Sequence, residues 1–379
     1  MEVRLFKPSV GEDEIEAIRD VFKRSWLGLG SKVGEFERAW SEYIGCKTSI
    51  AVNSCTAALH LALAAFNFPK GKKVLVPAIT FVASATAALY NDLEPIFVDI
   101  DEKTLGMNLT DLKRKITKDC VAIMAVHMGG HPLPMDELME IARLHDLKVI
   151  EDCAHCAGGE YNGKKLGTWG DIGCFSFEEK KGMTTGDGGM ISSNDEELVE
   201  PIRPMRWVGI DKDTWKRTPS YTDETADSRH WYYEIHMVGY KYNMNDLCAS
   251  IGLAQLRKLD SMNAARRKAI SMYLEELREA RHVRPLLPYD LSANSAYWIF
   301  GLRCDKRDDL IIHCKKNGIA TGLHYMPLPM HPLFEEHEEN IDVARSAYEE
   351  IITLPLFADI TNKEIDYVVK KVLEFDFSY

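Results

Sequence analysis

The sequence lacks the features that mark nucleic-acid-binding and membrane proteins. Basic residues are in the minority, with 46 Lys and Arg against 58 Asp and Glu, for a formal net charge of −12 at pH 7. This balance argues against a nucleic-acid-binding surface. The longest uncharged run begins at Val74 and ends before Asp92, and its Pro, Ser, Thr and Asn residues make it too polar to span a membrane. We therefore expect a protein that binds neither nucleic acid nor membrane.

Signals for secretion, disulfides and metal are also missing. The first residues show no charged segment followed by an apolar core, so we expect no signal peptide. The nine cysteines are scattered and odd in number, which suits a reducing cytoplasm better than a disulfide framework. Cys153 and Cys156 form a C-x-x-C pair without a second such pair. Structural zinc sites need four ligands, so we predict no metal.

What is present is a regular alternation of apolar strand-like and helix-like segments. Strand-like segments lie at 49–52, 74–77, 95–99, 122–126 and 148–152, separated by helix-like segments at 53–63, 81–89, 112–116 and 135–145. Strands that are apolar throughout and spaced by helices predict an α/β fold with a mostly parallel central sheet sandwiched by helices. With 379 residues, we expect a large domain at 1–250 and a smaller α+β domain at 251–379. A long helix from Leu247 would bridge them.

Two segments at predicted strand ends suggest a ligand site. Ser54, Cys55 and Thr56 follow the first strand and open a helix, where free backbone N–H groups favour phosphate. An ordinary Ser/Thr helix cap would have the same sequence. Asp152 ends another apolar strand and either caps the next turn or offers a carboxylate to a cationic ligand. In such sheets ligands gather at the carboxyl ends of strands, so these segments predict one binding edge.

A third segment, residues 173–189, begins as an apolar strand and continues into a loop of Gly, Thr and charged residues. Such a loop can hold one side chain rigidly, and its candidates are Lys180 and Lys181. A desolvated lysine amine has a lowered pKa and attacks carbonyl groups. From these residues alone, a surface loop with two solvated lysines is the favoured interpretation.

Taken in order, the motifs of this chain resemble those of the pyridoxal-phosphate-dependent sugar aminotransferases of the DegT/DnrJ/EryC1/StrS group. The matching segments are 26–30, 36–37, 43–45, 53–63, 77–84, 151–155, 173–177, 184–190, 239–244 and 322–325. Each is weakly specific alone, but the match is ordered and runs almost end to end. The resemblance implies the aspartate-aminotransferase-like fold type I, the cofactor pyridoxal 5′-phosphate, and a homodimer with active sites at the subunit interface.

The resemblance also assigns the catalytic pair. Lys181, four positions after the second Phe of Phe175-Ser176-Phe177, matches the lysine that forms the internal aldimine and shuttles the proton. Asp152 matches the carboxylate that pairs with the protonated pyridine nitrogen, which lets the ring take up electrons. The resemblance also implies further residues that bind the cofactor and the substrate. Those for the cofactor are Ser54, Cys55, Thr56, Phe81, His155, Ser176, Lys241 and Asn243, and those for the substrate are Glu178, His324 and Tyr325.

Three positions depart from the family pattern. Cys55 replaces a Gly in the phosphate turn, which is tolerable if its φ is negative and only its N–H is used. Glu178 stands where His is common, near the incoming sugar, and Lys241 replaces an Asn on the arm that reaches in from the second subunit. The aromatic and polar insert at 209–236 is expected to be functional or interfacial.

The function implied is transfer of an amino group from an amino acid, with L-glutamate expected, to a keto or aldehyde sugar linked to a nucleotide. Pyridoxamine phosphate would be the intermediate form of the cofactor, and amino-sugar biosynthesis for lipopolysaccharide, O-antigen or antibiotics the setting. One alternative is a pyridoxamine-phosphate-dependent sugar dehydratase, but such enzymes have His in place of Lys181. Another is a non-catalytic regulatory protein on the same fold, which predicts loss of Lys181 or Asp152.

Overall fold

A computed structural model describes residues 1–210, 232–292, 294–337 and 340–377. The helices are α1 Glu12–Lys23, α2 Ser31–Ile44, α3 Cys55–Ala65, α4 Ala83–Leu89, α5 Leu109–Lys115, α6 Met135–Leu144, α7 Glu196–Val199, α8 Ile202–Met205, α9 Asp246–Glu276, α10 Arg307–Lys316, α11 Asp342–Glu350 and α12 Asn362–Asp376. The strands are β1 Thr48–Val52, β2 Lys73–Pro77, β3 Glu94–Val98, β4 Cys120–Val126, β5 Lys148–Asp152, β6 Glu160–Tyr161, β7 Lys164–Lys165, β8 Ile172–Ser176, β9 Gly189–Ser193, β10 Val283–Pro285, β11 Phe300–Cys304 and β12 Ile351–Leu354.

The central sheet has seven strands in the order β1-β9-β8-β5-β4-β2-β3. Strands β8, β5, β4, β2 and β3 pair in parallel, whereas β9 is antiparallel to both β1 and β8. The predicted mostly parallel sheet is therefore confirmed. Because β9 reverses direction between them, β1 and β8 point the same way, and β1, β5 and β8 end at one edge.

The strand β8 and the residue after it are held by an aromatic cluster on one face of the sheet. The Trp40 ring of α2 lies 4.9 Å from the Phe175 ring and 5.1 Å from the Phe177 ring, centroid to centroid, with all three side chains buried. Phe36 lies 5.4 Å from Phe177 on the same side. This packing fixes the point at which the lysine-bearing loop leaves the sheet.

A second, antiparallel sheet has the order β10-β11-β12 and shares a hydrophobic core with α9, α10 and α12. Within its core the rings of Tyr273 and Phe300 stack at 4.6 Å. Helix α9 has 31 residues and runs from the central sheet to this second one, capped at its start by the Asn245 side chain. We propose that α9 separates a large domain, residues 1–250, from a small one, residues 251–379.

The N-terminal segment also packs against the second sheet. The Val3 N–H donates to the Gly318 carbonyl, the Ala320 N–H donates to the Val3 carbonyl, and the Leu356 N–H donates to the Leu5 carbonyl. These bonds place Leu5 and Phe6 beside the C-terminal part of the chain. None of the helices in the described ranges combines the length and apolar composition that a membrane crossing requires.

Candidate active site

A cavity of about 730 Å³ opens where β1, β5 and β8 end, between the central sheet and the C-terminal part of the chain. It is lined by most of the residues singled out in the sequence: Ser54, Cys55, Thr56, Phe81, Asp152, His155, Ser176, Glu178, Lys181, His324 and Tyr325. Lys241 and Asn243 are not among its lining residues. The predicted binding edge is therefore one concave site within a single chain.

The backbone around Lys181 is held by hydrogen bonds on both sides. The Trp298 indole N–H donates to the Lys180 carbonyl at 2.7 Å, and the Arg266 guanidinium donates to the Gly182 carbonyl at 3.0 Å. The Lys181 N–H itself donates to the Glu178 carbonyl at 2.9 Å. The loop is thus a rigid turn, and the direction in which the Lys181 side chain leaves it is fixed.

The two neighbouring lysines differ in environment. Burial lowers the pKa of the Lys181 amine to about 8, although the nearby Glu178 and Asp152 carboxylates act in the opposite direction. Its Nζ lies 3.8 Å from the centre of the Trp298 ring. The Lys180 side chain is 58% exposed and lies 3.9 Å from the Glu178 carboxylate. The lowered pKa makes part of the Lys181 amine unprotonated near neutral pH, as attack on a carbonyl requires.

Asp152 is a buried carboxylate with two hydrogen-bond donors. Its Oδ2 accepts from the Ser84 hydroxyl at 2.7 Å, and its Oδ1 accepts from the Ala154 N–H at 3.1 Å. The Ser84 hydroxyl lies 2.8 Å from that of Thr80, which continues the chain of hydrogen bonds. Burial raises the pKa of Asp152 even though these bonds oppose the rise. A cationic group in the cavity would keep this carboxylate ionised.

The hydrogen bonds of His155 determine which of its nitrogens carries the proton. Its Nδ1 accepts from the Gly129 N–H at 3.3 Å, so the proton of the neutral ring is on Nε2. Nε2 lies 3.4 Å from the Tyr325 hydroxyl. Burial, with Lys181 and His324 nearby, lowers the pKa of His155 well below its usual value. His155 is therefore neutral and presents an N–H donor.

The turn from β1 into α3 has the form of a phosphate site. Ser54 is the N-cap, and its hydroxyl accepts from the Ala57 N–H. Cys55 is the first residue of α3, a position with negative φ, so the replacement of Gly is accommodated. A Cβ on Gly189 would lie 2.5 Å from the Ser54 carbonyl and 2.7 Å from the Cys55 nitrogen, so glycine is required behind the turn. Ser176, buried at the end of β8, completes the lining.

Lys241 and Asn243 lie beside the cavity rather than in it. The Lys241 amine donates to Asn243 Oδ1 at 2.7 Å and lies 3.7 Å from the centre of the Trp207 ring. The Asn53 N–H donates to the Tyr242 carbonyl at 2.7 Å, which holds this segment against the end of β1. Lys241 is exposed. The pair therefore does not contribute to the cavity of its own chain.

The residues expected to meet the substrate, Glu178, His324 and Tyr325, all line the cavity. The Glu178 carboxylate accepts from the Lys180 N–H at 3.0 Å, and the exposed Phe81 ring lies 6.0 Å from that of Tyr325. His324 Nδ1 is 2.9 Å from the Thr353 hydroxyl, and burial lowers the pKa of His324 to about 4. Most of the insert at 209–236 lies outside the described residues, which stop at 210 and resume at 232.

Several site residues were missed by the sequence reasoning. Ser84 and Thr80 lie within a motif that was recognised, but nothing in their spacing indicated a bond to Asp152. Trp298 and Arg266 are distant in sequence and reach the lysine loop through tertiary packing. A single sequence carries no local signal for such contacts.

The Cys153 and Cys156 pair has a third neighbour that the sequence reasoning did not connect with it. Their sulfurs lie with a His127 nitrogen in a buried group whose atoms are within 4.8 Å of one another. Both nitrogens of His127 are already bonded, Nδ1 to the Leu133 N–H at 3.2 Å and Nε2 to the Glu151 carboxylate at 3.1 Å. Burial also raises the pKa of both thiols. The group therefore fits a packed polar core better than a metal centre.

Comparison with known proteins identifies the family. The model of the DegT/DnrJ/EryC1/StrS aminotransferase family matches residues 8–373. The chain belongs to this family. It is 38% identical to the uncharacterized protein MJ1066 of Methanocaldococcus jannaschii over 97% of this chain and 96% of that protein. It is 34% identical to the GDP-perosamine synthase of Caulobacter vibrioides over 96% of this chain and 95% of that protein.

Solved structures of the family agree with the fold. The putative sugar aminotransferase Spr1654 of Streptococcus pneumoniae, in its pyridoxamine-phosphate form, matches with a TM-score of 0.92 at 27% identity and covers 100% of both chains. The chain is thus a fold-type I, pyridoxal-phosphate-dependent sugar aminotransferase. The site fits that cofactor, because a helix N-terminus, a buried carboxylate and a buried amine line one cavity.

Proposed function

We propose that this aminotransferase moves the amino group of L-glutamate onto a keto or aldehyde sugar linked to a nucleotide, in amino-sugar biosynthesis. The carrying observation is the Lys181 amine, buried, with a pKa of about 8, in the same cavity as Asp152. The GDP-perosamine synthase among the relatives supports a nucleotide-linked sugar. All nine cysteines are free, which supports a reducing, cytoplasmic setting.

We propose that Lys181 moves the proton. When bound, pyridoxal phosphate supplies an aldehyde carbon for amines and a ring that withdraws electrons. Because the pKa of Lys181 is lowered to about 8, a useful fraction of the amine is unprotonated near neutral pH and can accept a proton from the amino-acid carbon. General acid–base steps of this kind contribute about 10²–10⁴-fold.

In the proposed function, Asp152 and His155 orient two polar atoms of the cofactor. Asp152 stays ionised against a cationic ring nitrogen, and the Ser84 hydroxyl and the Ala154 N–H hold its two oxygens in place. His155, neutral with its proton on Nε2, has an N–H to donate to the phenolic oxygen of the cofactor. Ser54, Cys55, Thr56 and Ser176 line the position for the phosphate.

We also propose that the active unit is a homodimer in which Lys241 and Asn243 complete the neighbour's site. The exposure of Lys241 next to the β1 end supports this, since neither residue lines the cavity of its own chain. Mixing a Lys181→Ala chain with an Asn243→Ala chain tests it. After subunit exchange, one site per mixed dimer would be intact, so turnover should exceed the sum of the two variants. No gain in a verified mixed dimer would contradict the arrangement.

The overall function is tested with the purified holoenzyme and a panel of nucleotide-linked and free keto sugars. L-glutamate alone should convert the cofactor absorbance to that of the pyridoxamine form, and an accepted sugar should gain an amino group by mass spectrometry. Lys181→Ala should abolish both changes, whereas Lys180→Ala should retain them. Amination of free sugars only would overturn the nucleotide-linked part, and no response to any amino acid would overturn the whole proposal.

A further inference from the structure

Trp298 makes two contacts with the lysine loop at once. Its indole N–H donates to the Lys180 carbonyl at 2.7 Å, and its ring centre lies 3.8 Å from the Lys181 amine nitrogen. The Trp298 backbone N–H is bonded to the Gly129 carbonyl at 2.9 Å, and only 4% of the residue is exposed. Trp298 is therefore held in place by two hydrogen bonds, one from its backbone N–H and one from its indole N–H.

Neighbouring rings restrict the Trp298 side chain further. The Phe6 ring is stacked with it at 4.9 Å, and the His155 ring is stacked with it at 4.1 Å, centroid to centroid. Phe6 comes from the N-terminal segment, whereas His155 follows β5. Trp298 thus connects the catalytic loop, the cofactor-binding histidine and the N-terminal segment in one packed column.

The Trp298 ring is important for the Lys181 amine, because that amine has few other partners in the part of the chain that the structure describes. Within the described residues, the Lys181 amine donates no hydrogen bond, and its nitrogen lies over the face of the Trp298 ring. A tryptophan ring attracts a cation within about 6 Å and does so more strongly where water is excluded. This attraction favours the protonated amine, whereas burial favours the neutral one. The ring therefore influences both where the amine lies and how readily it gives up its proton.

We propose that Trp298 is a positioning residue that holds the protonated Lys181 amine over its ring whenever that amine is not bonded to the cofactor. This inference rests on the proposed role of Lys181 as the proton carrier. A lysine has a flexible four-carbon chain, and once released its amine could move toward Glu178 or to water. Held over Trp298, it stays in the cavity that Asp152 also lines, ready for the next proton transfer.

The chain contains a matched control for the proposed contact. Trp169 makes the same two kinds of contact, but with a single lysine: its indole N–H donates to the Lys164 carbonyl at 3.4 Å, and its ring centre lies 4.7 Å from the Lys164 amine. That pair does not line the active-site cavity. Trp169→Phe therefore removes an equivalent indole without touching Lys181.

The experiment measures the reactivity of the Lys181 amine directly. The holoenzyme is converted to its pyridoxamine form, which frees Lys181, and labelled with trace acetic anhydride across a pH range. Mass spectrometry of the Lys181 peptide then gives the pH at half-maximal labelling. Trp298→Leu should shift that midpoint to lower pH, corresponding to roughly 3- to 30-fold more neutral amine at a given pH. Trp298→Phe, which keeps an aromatic face, should shift it less, and Trp169→Phe should not shift it.

Kinetics provide the second readout. Trp298→Leu should lower kcat of the glutamate half-reaction several-fold more than it changes KM, since the amine and not the donor is misplaced. An unchanged or raised labelling midpoint in Trp298→Leu would overturn the inference, as would an equal shift in Trp169→Phe. Failure of the proposed function looks different, because the wild-type enzyme would then not respond to any amino acid, or Lys181→Ala would remain active, whatever the labelling shows.

Discussion

The cavity has two walls of different construction. One, here called the strand-end wall, consists of Ser54, Asp152, Ser176 and Lys181 and is built from strand ends and the turns that follow them. The other, the aromatic wall, consists of Phe6, Trp298, His324 and Tyr325 and is assembled from the N-terminal segment and the C-terminal part of the chain. The first carries charge and directed donors, whereas the second carries rings. Chemistry and positioning are thus supplied from different parts of the sequence.

The largest effect is expected at Lys181, on the strand-end wall. Lys181→Ala should lower turnover by at least about 10²–10⁴-fold, because the proton carrier is lost. Lys180→Ala is the adjacent control, and it should retain most activity because that side chain is 58% exposed. Steady-state kinetics of both variants with one accepted sugar decide this. Equal losses in the two would remove the distinction that burial makes between the neighbouring lysines.

Asp152 should come next in magnitude. Asp152→Asn keeps the shape but removes the charge that opposes a cationic ring nitrogen, so we expect a loss of roughly 100-fold in kcat/KM. Ser84→Ala removes one hydrogen bond to the same carboxylate and should cost about 10-fold. Cofactor affinity, measured by absorbance titration of the apo-enzyme, should weaken in the same order. A larger effect at Ser84 than at Asp152 would show that the hydroxyl, rather than the charge, is essential.

The difference between the walls also explains what could be predicted from the sequence. Asp152, Ser54 and Lys181 lie at or just after apolar strands, and parallel topology brings such ends together, so local pattern and family resemblance both identified them. Trp298 precedes a strand of the other sheet by two residues, and its contact with a loop 118 positions earlier depends on packing that no local pattern reports. The same limit applies to Arg266, which lies inside a long helix and binds the Gly182 carbonyl.

The predicted start of one helix also differs from the structure. The helix predicted from Phe81 begins at Ala83, and Phe81 instead remains exposed at the cavity mouth. Helix α11 ends at Glu350, because Ile351 starts the buried strand β12. At Ile351, pairing with β11, rather than helix propensity, decides where the helix ends.

The pH dependence of the glutamate half-reaction tests the burial of Lys181. Burial lowers the pKa of this amine to about 8, so the unprotonated form that accepts a proton is lost as pH falls below that value. The rate should therefore rise through pH 8 and drop roughly 10-fold for each pH unit below it. Stopped-flow absorbance over pH 6 to 9.5 measures this. A rate that still rises about 10-fold per pH unit at pH 9.5 would contradict the lowered pKa of Lys181.

The smallest effect is expected on the aromatic wall, at Phe6. Phe6→Leu removes the ring stacked with Trp298 at 4.9 Å but touches neither Lys181 nor Asp152. Loss of one aromatic pair costs about 0.5–1.5 kcal/mol, so we expect a few-fold change in KM for the sugar and a near-normal kcat. A kcat loss as large as that of Asp152→Asn would mean that the N-terminal segment takes part in the chemistry. The walls would then not divide charge from positioning, and the ring column from Phe6 to His155 would have to be treated as one catalytic unit.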